Sequence, residues 1–175
     1  PAALARFHAL HPDVEVIVVE GSHGELVEPL RDGSVDLMIG ALRDPSPGPD
    51  LTQRPLFPDQ AIVLARAGHP LAALTGDGPA PVLPPLADLG RFPWILPSFG
   101  APLRVGFETI FTSQGITPPQ VPIQCGSVMI IREVLMQTDF LTFLSPDQVS
   151  VELQAGWLAS LGEPPGHFAR TIGIT

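Results

Sequence analysis

The 175-residue chain holds one cysteine, Cys125, and no lysine. A lone cysteine excludes an internal disulfide framework, and within the apolar run 121–125 it reads as a small core residue. All nine basic residues are arginine, which fits a GC-rich coding background and carries no functional inference. Eighteen acidic side chains outnumber them, for a formal charge of −9. That balance excludes DNA binding by this chain alone, because nucleic-acid affinity comes mainly from cations that neutralise phosphates. No apolar run reaches the roughly 18–20 residues of a membrane helix, and no signal peptide opens the chain. A soluble cytoplasmic protein is therefore expected, with no membrane contact. Catalytic signatures are missing as well: there is no G-x-S-x-G elbow, P-loop, G-x-G-x-x-G or H-E-x-x-H. His8 and His11 have the spacing of a helical metal pair, but no carboxylate or cysteine cluster completes a site. Asp44 and Asp50 lie in a loop without the apolar surroundings that would split their pKa values. No enzyme, cofactor or metal is expected.

Charged residues are only 15% of the chain and hydrophobic ones 45%, which points to a packed core. The 22 prolines and 17 glycines are dispersed, with one dense patch from Gly76 to Pro85, so short connections are expected. Leu4, Phe7 and Leu10 form an apolar stripe on a helix ended by His11-Pro12. The β-branched run 14–20 reads as a strand. Gly21 turns the chain into a helix opened by the capping box Ser22–Glu25 and stopped by Gly33, with a kink or early end at Pro29. A buried strand over 35–42 and a Pro/Gly loop over 44–50 come next, then extended runs over 51–57 and 60–67. Further on, helices are expected near 86–89 and over 101–114, 127–137 and 146–153. Strands are expected over 92–96, 121–125, 140–144 and 168–174.

Strands alternating with helices imply βαβ units and mainly parallel sheets. Two such runs, separated near residues 58–66, suggest two α/β lobes joined by extended crossover strands, the last strand returning to the first lobe. Strand ends and helix N-termini of both lobes then face one cleft, where unpaired N–H groups and the helix dipole favour small anions.

Several segments resemble the effector-binding domain of LysR-type transcription regulators. FHALHPDVEVIVVEG followed by LRDGSVDLMIG, PLFPDQAIVLARAGHPLA, LADLGRFPWILPSFGAPLR, GSVMIIREVLMQTDFLTFLSPDQV and RTIGIT match that family's pattern in order and spacing. GALRDP, ARAGHPLA and FLTFLSPDQV are most similar to the branch that regulates galactose-binding protein and protocatechuate catabolism. The resemblance implies two Rossmann-like lobes of type II periplasmic-binding-protein kind, with residues 1–62 plus 166–175 in lobe one and 63–165 in lobe two. It also implies a fragment: the family's N-terminal winged helix-turn-helix, which contacts DNA, and the first strand of lobe one are not in this sequence. Family partners would be a small-molecule effector and a second copy, in an antiparallel homodimer using the first helix and the 14–19 strand. A tetramer is the further possibility for a full-length regulator. A periplasmic solute-binding protein and a two-lobe transferase share the architecture and stand as rival readings.

Candidate effector contacts lie at the strand-to-helix turns. Gly21, Ser22 and His23 form the first. Ser22 reads equally as a helix cap, and His23 as a carboxylate or pH sensor or a solvated side chain. Ser98, Phe99 and Gly100 open the helix holding Arg104; Gly100 permits close backbone approach, Phe99 could stack on an aromatic effector, and Arg104 is either a carboxylate clamp or an exposed helix arginine. Gly126, Ser127, Thr142 and Phe143 match effector positions in the family, while Ser127 also reads as an N-cap and Thr142 as a β-branched strand residue. Ala41 and Leu42 would form an apolar wall.

Overall fold

The computed structural model describes residues 2–76, 80–164 and 169–175. The middle of the Pro/Gly patch and Phe168, expected to open the last strand, lie outside that set. Helix α1 (Ala2–Leu10) ends where the His-Pro pair predicts. Its apolar stripe is not core, since Leu4, Phe7 and Leu10 are all exposed. Helix α2 (His23–Arg31) starts at the capping box, with the Glu25 carboxylate accepting from the Ser22 N–H at 2.7 Å. It runs through Pro29 and stops before Gly33, whose φ of 80° suits a residue without a Cβ. The run 14–20, expected as a strand, carries no regular structure and is exposed throughout. β-branched side chains favour a half-buried pleated surface, which exists only beside a partner strand, and none of the described strands pairs with this run.

A first sheet is built from β1 (Ile39–Ala41), β2 (Arg54–Gln60) and β8 (Ala169–Ile174) in the order β1-β8-β2. Of the strand expected over 35–42 only the later part, 39–41, is β1, and only Met38 within that run is buried. Both pairings are antiparallel, against the expectation of mainly parallel sheets. Strand β2 leaves this sheet and β8 returns to it, so the two run in opposite directions side by side.

The second sheet contains β3 (Ile62–Arg66), β4 (Ile95–Leu96), β5 (Ile123–Gln124), β6 (Thr142–Leu144) and β7 (Leu158–Gly162). A parallel bridge from Trp94 to Leu141 joins the β4-β5 pair to the β6-β3-β7 group. Strands β4, β5 and β6 are thus parallel, as βαβ units require; β3 runs against them, and β7, antiparallel to β3, runs with them. Around them lie α3 (Leu86–Leu89), α4 (Pro102–Ser113), α5 (Val128–Gln137) and α6 (Ser150–Gln154). The stretch read as one helix over 146–153 is a 3-10 turn, Pro146–Val149, followed by α6. Strand β7 and a 3-10 turn at Pro70–Leu74 have no counterpart in the sequence reading.

The period-2 alternation of β3 divides the core. Ala61, Val63 and Ala65 face a cluster with Trp94, Phe107, Phe111 and Phe143, while Ile62 and Leu64 face Ile95, Ile131, Leu135 and Leu144. Helix α4 covers the first face and α5 the second. The Trp94 ring lies 4.9 Å from Phe107 and 5.0 Å from Phe143, tilted contacts that each add about 0.5–1.5 kcal/mol beyond burial. Both buried clusters flank the second sheet, whereas Ile39, Leu56 and Phe57 of the first sheet are exposed.

Candidate functional site

Strand directions place the candidate residues relative to the crossover between the sheets. In the first sheet Ala41 pairs with Ile172 and Gln60 with Ala169, so β1 and β2 both end at the edge where β8 begins. Only Ala61 separates β2 from β3. In the second sheet Ile62, at the start of β3, pairs with Leu144 at the end of β6, and β4 and β5 run parallel to β6. The edge entered by the crossover is therefore the edge from which the turns to α4 and α5 emerge. An ion pair at the crossover, Arg170 to Asp59 at 2.6 Å with the carboxylate buried, ties the incoming and outgoing strands together.

On the first-sheet side, Gly21 and Ser22 are exposed, and the Ser22 N–H is taken by Glu25. His23 is half-buried, and its Nε2 is buried without a hydrogen-bond partner. Burial first, then the positive charges of Arg43 and Arg31, hold its pKa below the ordinary histidine value. Arg43 is a residue the sequence reading passed over, stopping at the Ala41–Leu42 wall. Its Nε is likewise buried and unpartnered, and its backbone is clamped by Gln53, which accepts from the Arg43 N–H and donates to its carbonyl, both at 2.8 Å. Ala41 and Leu42 are half-buried. The neighbouring loop is pinned by Arg31, which contacts Asp50 at 2.7 Å and the Pro47 carbonyl at 3.0 Å.

On the second-sheet side, Ser98, Phe99 and Gly100 form an exposed turn in which the Ala101 N–H donates to the Ser98 carbonyl at 3.2 Å. Arg104 is not an exposed helix arginine. It is buried, its Nε donates to Glu108 at 2.7 Å, and its Nη1 has no partner. Gly126 is exposed at the next turn, and Ser127 is the N-cap of α5, its hydroxyl making no capping bond. Register brings these two turns together, because Leu96 pairs with Gln124 and the Cys125 N–H donates to the Leu96 carbonyl at 2.8 Å. Cys125 itself is only half-buried, against the second cluster.

Thr142 and Phe143, expected as effector contacts, are placed in the core. Thr142 is fully buried and its hydroxyl donates to the Ile95 carbonyl at 2.7 Å. Phe143 belongs to the aromatic cluster with Trp94 and Phe107. Strand β6 pairs with β3, and Phe143 and Leu144 at its end face the two buried clusters on opposite sides of the sheet. His8 and His11 lie on α1, His11 against the Phe7 ring at 4.8 Å. Among the described residues no group of three or more metal-ligating side chains assembles, and no helix is long and apolar enough to cross a membrane. A shallow apolar depression lies on the exposed face of α5, around Met129, Ile130 and Val134.

The sequence pattern described as the LysR substrate binding domain matches residues 1–174. The chain belongs to the LysR family. Among curated relatives, it is similar to the HTH-type transcriptional regulator GalR of Pseudomonas putida, with 34% identity over 99% of this chain and 42% of the relative. It is also similar to the regulator PcaQ of Agrobacterium fabrum, with 26% identity over 100% of this chain and 54% of that protein. The chain thus spans about half the length of these LysR relatives. A third relative is the HTH-type transcriptional regulator GbpR of Azospirillum brasilense, with 30% identity over 75% of this chain and 37% of that protein. Solved LysR structures share the fold: the cofactor-binding domain of the Cbl transcriptional regulator has a TM-score of 0.79 at 21% identity, covering 99% of this chain and 72% of that one. The Synechocystis CcmR regulatory domain, solved in complex with 2-PG, has a TM-score of 0.76 at 20% identity over 99% and 79%. The architecture is therefore the two-lobe, type II periplasmic-binding-protein-like one.

Proposed function

We propose that this chain is the effector-sensing part of a LysR-type transcription regulator, binding a small organic acid or sugar between its lobes without chemical change. The observation that carries this reading is the pair of sheet edges at one crossover, each bearing a buried, unpartnered cationic nitrogen: Arg43 Nε on one side and Arg104 Nη1 on the other. A buried N–H with no partner is costly, and a ligand oxygen removes the cost. The charge favours an acid over a sugar. His23, Ser22, Ser98, Gly100 and Ser127 line the same two edges and complete the proposed contact set. Bridging the lobes, the effector favours one inter-lobe arrangement through its differential affinity for that arrangement.

DNA contact, in this reading, belongs to a helix-turn-helix segment of the longer regulator, which acts in the cytoplasm. The exposed faces of α1 and residues 14–19 are the proposed surface for a second copy, and that pairing transmits the lobe movement to the DNA-binding segments. A thermal-shift screen with organic acids and sugars tests the reading, since a ligand that binds the folded form raises its stability by mass action. An acid is expected to stabilise the chain, and Arg43→Ala is expected to weaken its binding by about 10- to 100-fold, the worth of a charge-assisted hydrogen bond. A panel in which nothing stabilises the protein, or an Arg43→Ala variant that binds as well as wild type, overturns it.

A further inference from the structure

Arg104 sits where its chemistry is poorly served. The residue is only 6% exposed, yet it lies in the first turn of α4 beside a loop whose Phe99 is 70% exposed. Its Nε is held by Glu108, whereas Nη1 is buried with no hydrogen-bond partner. What covers the guanidinium is aromatic: its central carbon is 4.2 Å from the Phe99 ring centroid and 5.8 Å from that of Phe107. Cation–π attraction offsets part of the lost hydration, but an anionic oxygen is the stronger partner. Phe107 is locked inside the core. Phe99 is not: its outer surface meets solvent, and the next residue, Gly100, has a φ of 82°, a backbone state that glycine enters and leaves at little cost.

We infer that Phe99 is a gate over a carboxylate-binding nitrogen. An incoming organic acid displaces the ring and accepts the Nη1 hydrogen of Arg104, while Glu108 holds the other end of the guanidinium in position. This rests on the cleft reading above and adds to it a charge requirement and a moving part. Helix α4 alone would be a poor anion site, because Pro102 lacks an N–H and the Ala101 N–H is already spent on Ser98. The arginine, not the helix end, is what selects a carboxylate.

The test uses benzoate and its neutral isostere benzamide as probes, with the arginine Nε–H resonances followed by NMR and the Arg104 signal assigned through Arg104→Lys. Benzoate is expected to shift that signal and benzamide to leave it unmoved. Phe99→Ala removes the competing ring and is expected to tighten benzoate binding about tenfold, the scale of a desolvated cation–π contact. Equal response to benzamide, or a benzoate affinity in Phe99→Ala no higher than wild type, overturns the gate. If Phe99→Ala changes nothing while Arg43→Ala still weakens stabilisation by acids, the gate falls and the cleft reading stands. If no acid binds wild type or Phe99→Ala, both fall.

Discussion

Replacing Thr142 by valine isolates a single hydrogen bond. The two side chains have nearly the same shape, so the substitution opens no cavity. It removes the bond from the Thr142 hydroxyl to the Ile95 carbonyl, 2.7 Å long and fully buried. A net contribution of about 0.5–1.5 kcal/mol is expected for such a bond. The replacement methyl also gains apolar contacts in the cluster of Ile62, Ile95 and Leu144, which pulls the loss toward the lower half of that range. For a chain of this size, 1 kcal/mol corresponds to a fall in Tm of about 2–4 °C, so Thr142→Val should melt about 1–4 °C below wild type. Thr142→Ala should fall further, by about another 1 kcal/mol for the missing methyl. Calorimetry or urea titration reads both, and the affinity for any acid found in the screen should be unchanged by either. A Thr142→Val protein as stable as wild type but with altered ligand affinity would refute the reasoning, because it would mean that the hydroxyl serves the cleft and not the strand.

Two other outcomes follow from the same kind of argument. His69 accepts from the Leu71 N–H at Nδ1 and donates from Nε2 to the Asp139 carbonyl, so it is neutral in the fold, and burial holds its pKa below the ordinary 6.5. The unfolded chain therefore takes up its proton first as the pH falls, and the stability His69 contributes is present above about pH 6.5 and lost progressively below it. His23 shifts in the same direction, so melting curves between about pH 7.5 and 5 should decline in wild type and decline less in His69→Gln; an identical slope would remove His69 from the account. Gly162 has a φ of 119°, and a Cβ there would lie 2.7 Å from the Leu83 nitrogen and 2.9 Å from the Pro81 carbonyl oxygen. Gly162→Ala should cost at least about 1–3 kcal/mol as strain at β7, visible as a lower urea midpoint, and a neutral effect would mean that the 81–83 segment yields freely.

The local sequence determined what depends only on near neighbours. Helix starts and stops followed from residues within one turn: the Ser22–Glu25 box at the head of α2 and Gly33 just past its end. The turn residues of the candidate site, Ser22–His23, Ser98–Gly100 and Gly126–Ser127, were legible for the same reason, since a turn is named by its own composition. Strand pairing was a different matter. Residues 14–20 have every local mark of a strand and join no sheet, while β7, with an alanine, a serine and a glycine among its five residues, was invisible until β3 appeared beside it. A strand exists only through hydrogen bonds to residues far away in the chain, so its partner and direction are not written in its own composition. The same distance dependence decided the site. Arg43 becomes notable only when Gln53 clamps it near His23. Thr142 leaves the candidate set only when Ile95, 47 positions earlier in the chain, takes its hydroxyl. Burial and hydrogen-bond partnership are properties of the packed chain, because they depend on which surfaces the whole fold brings into contact.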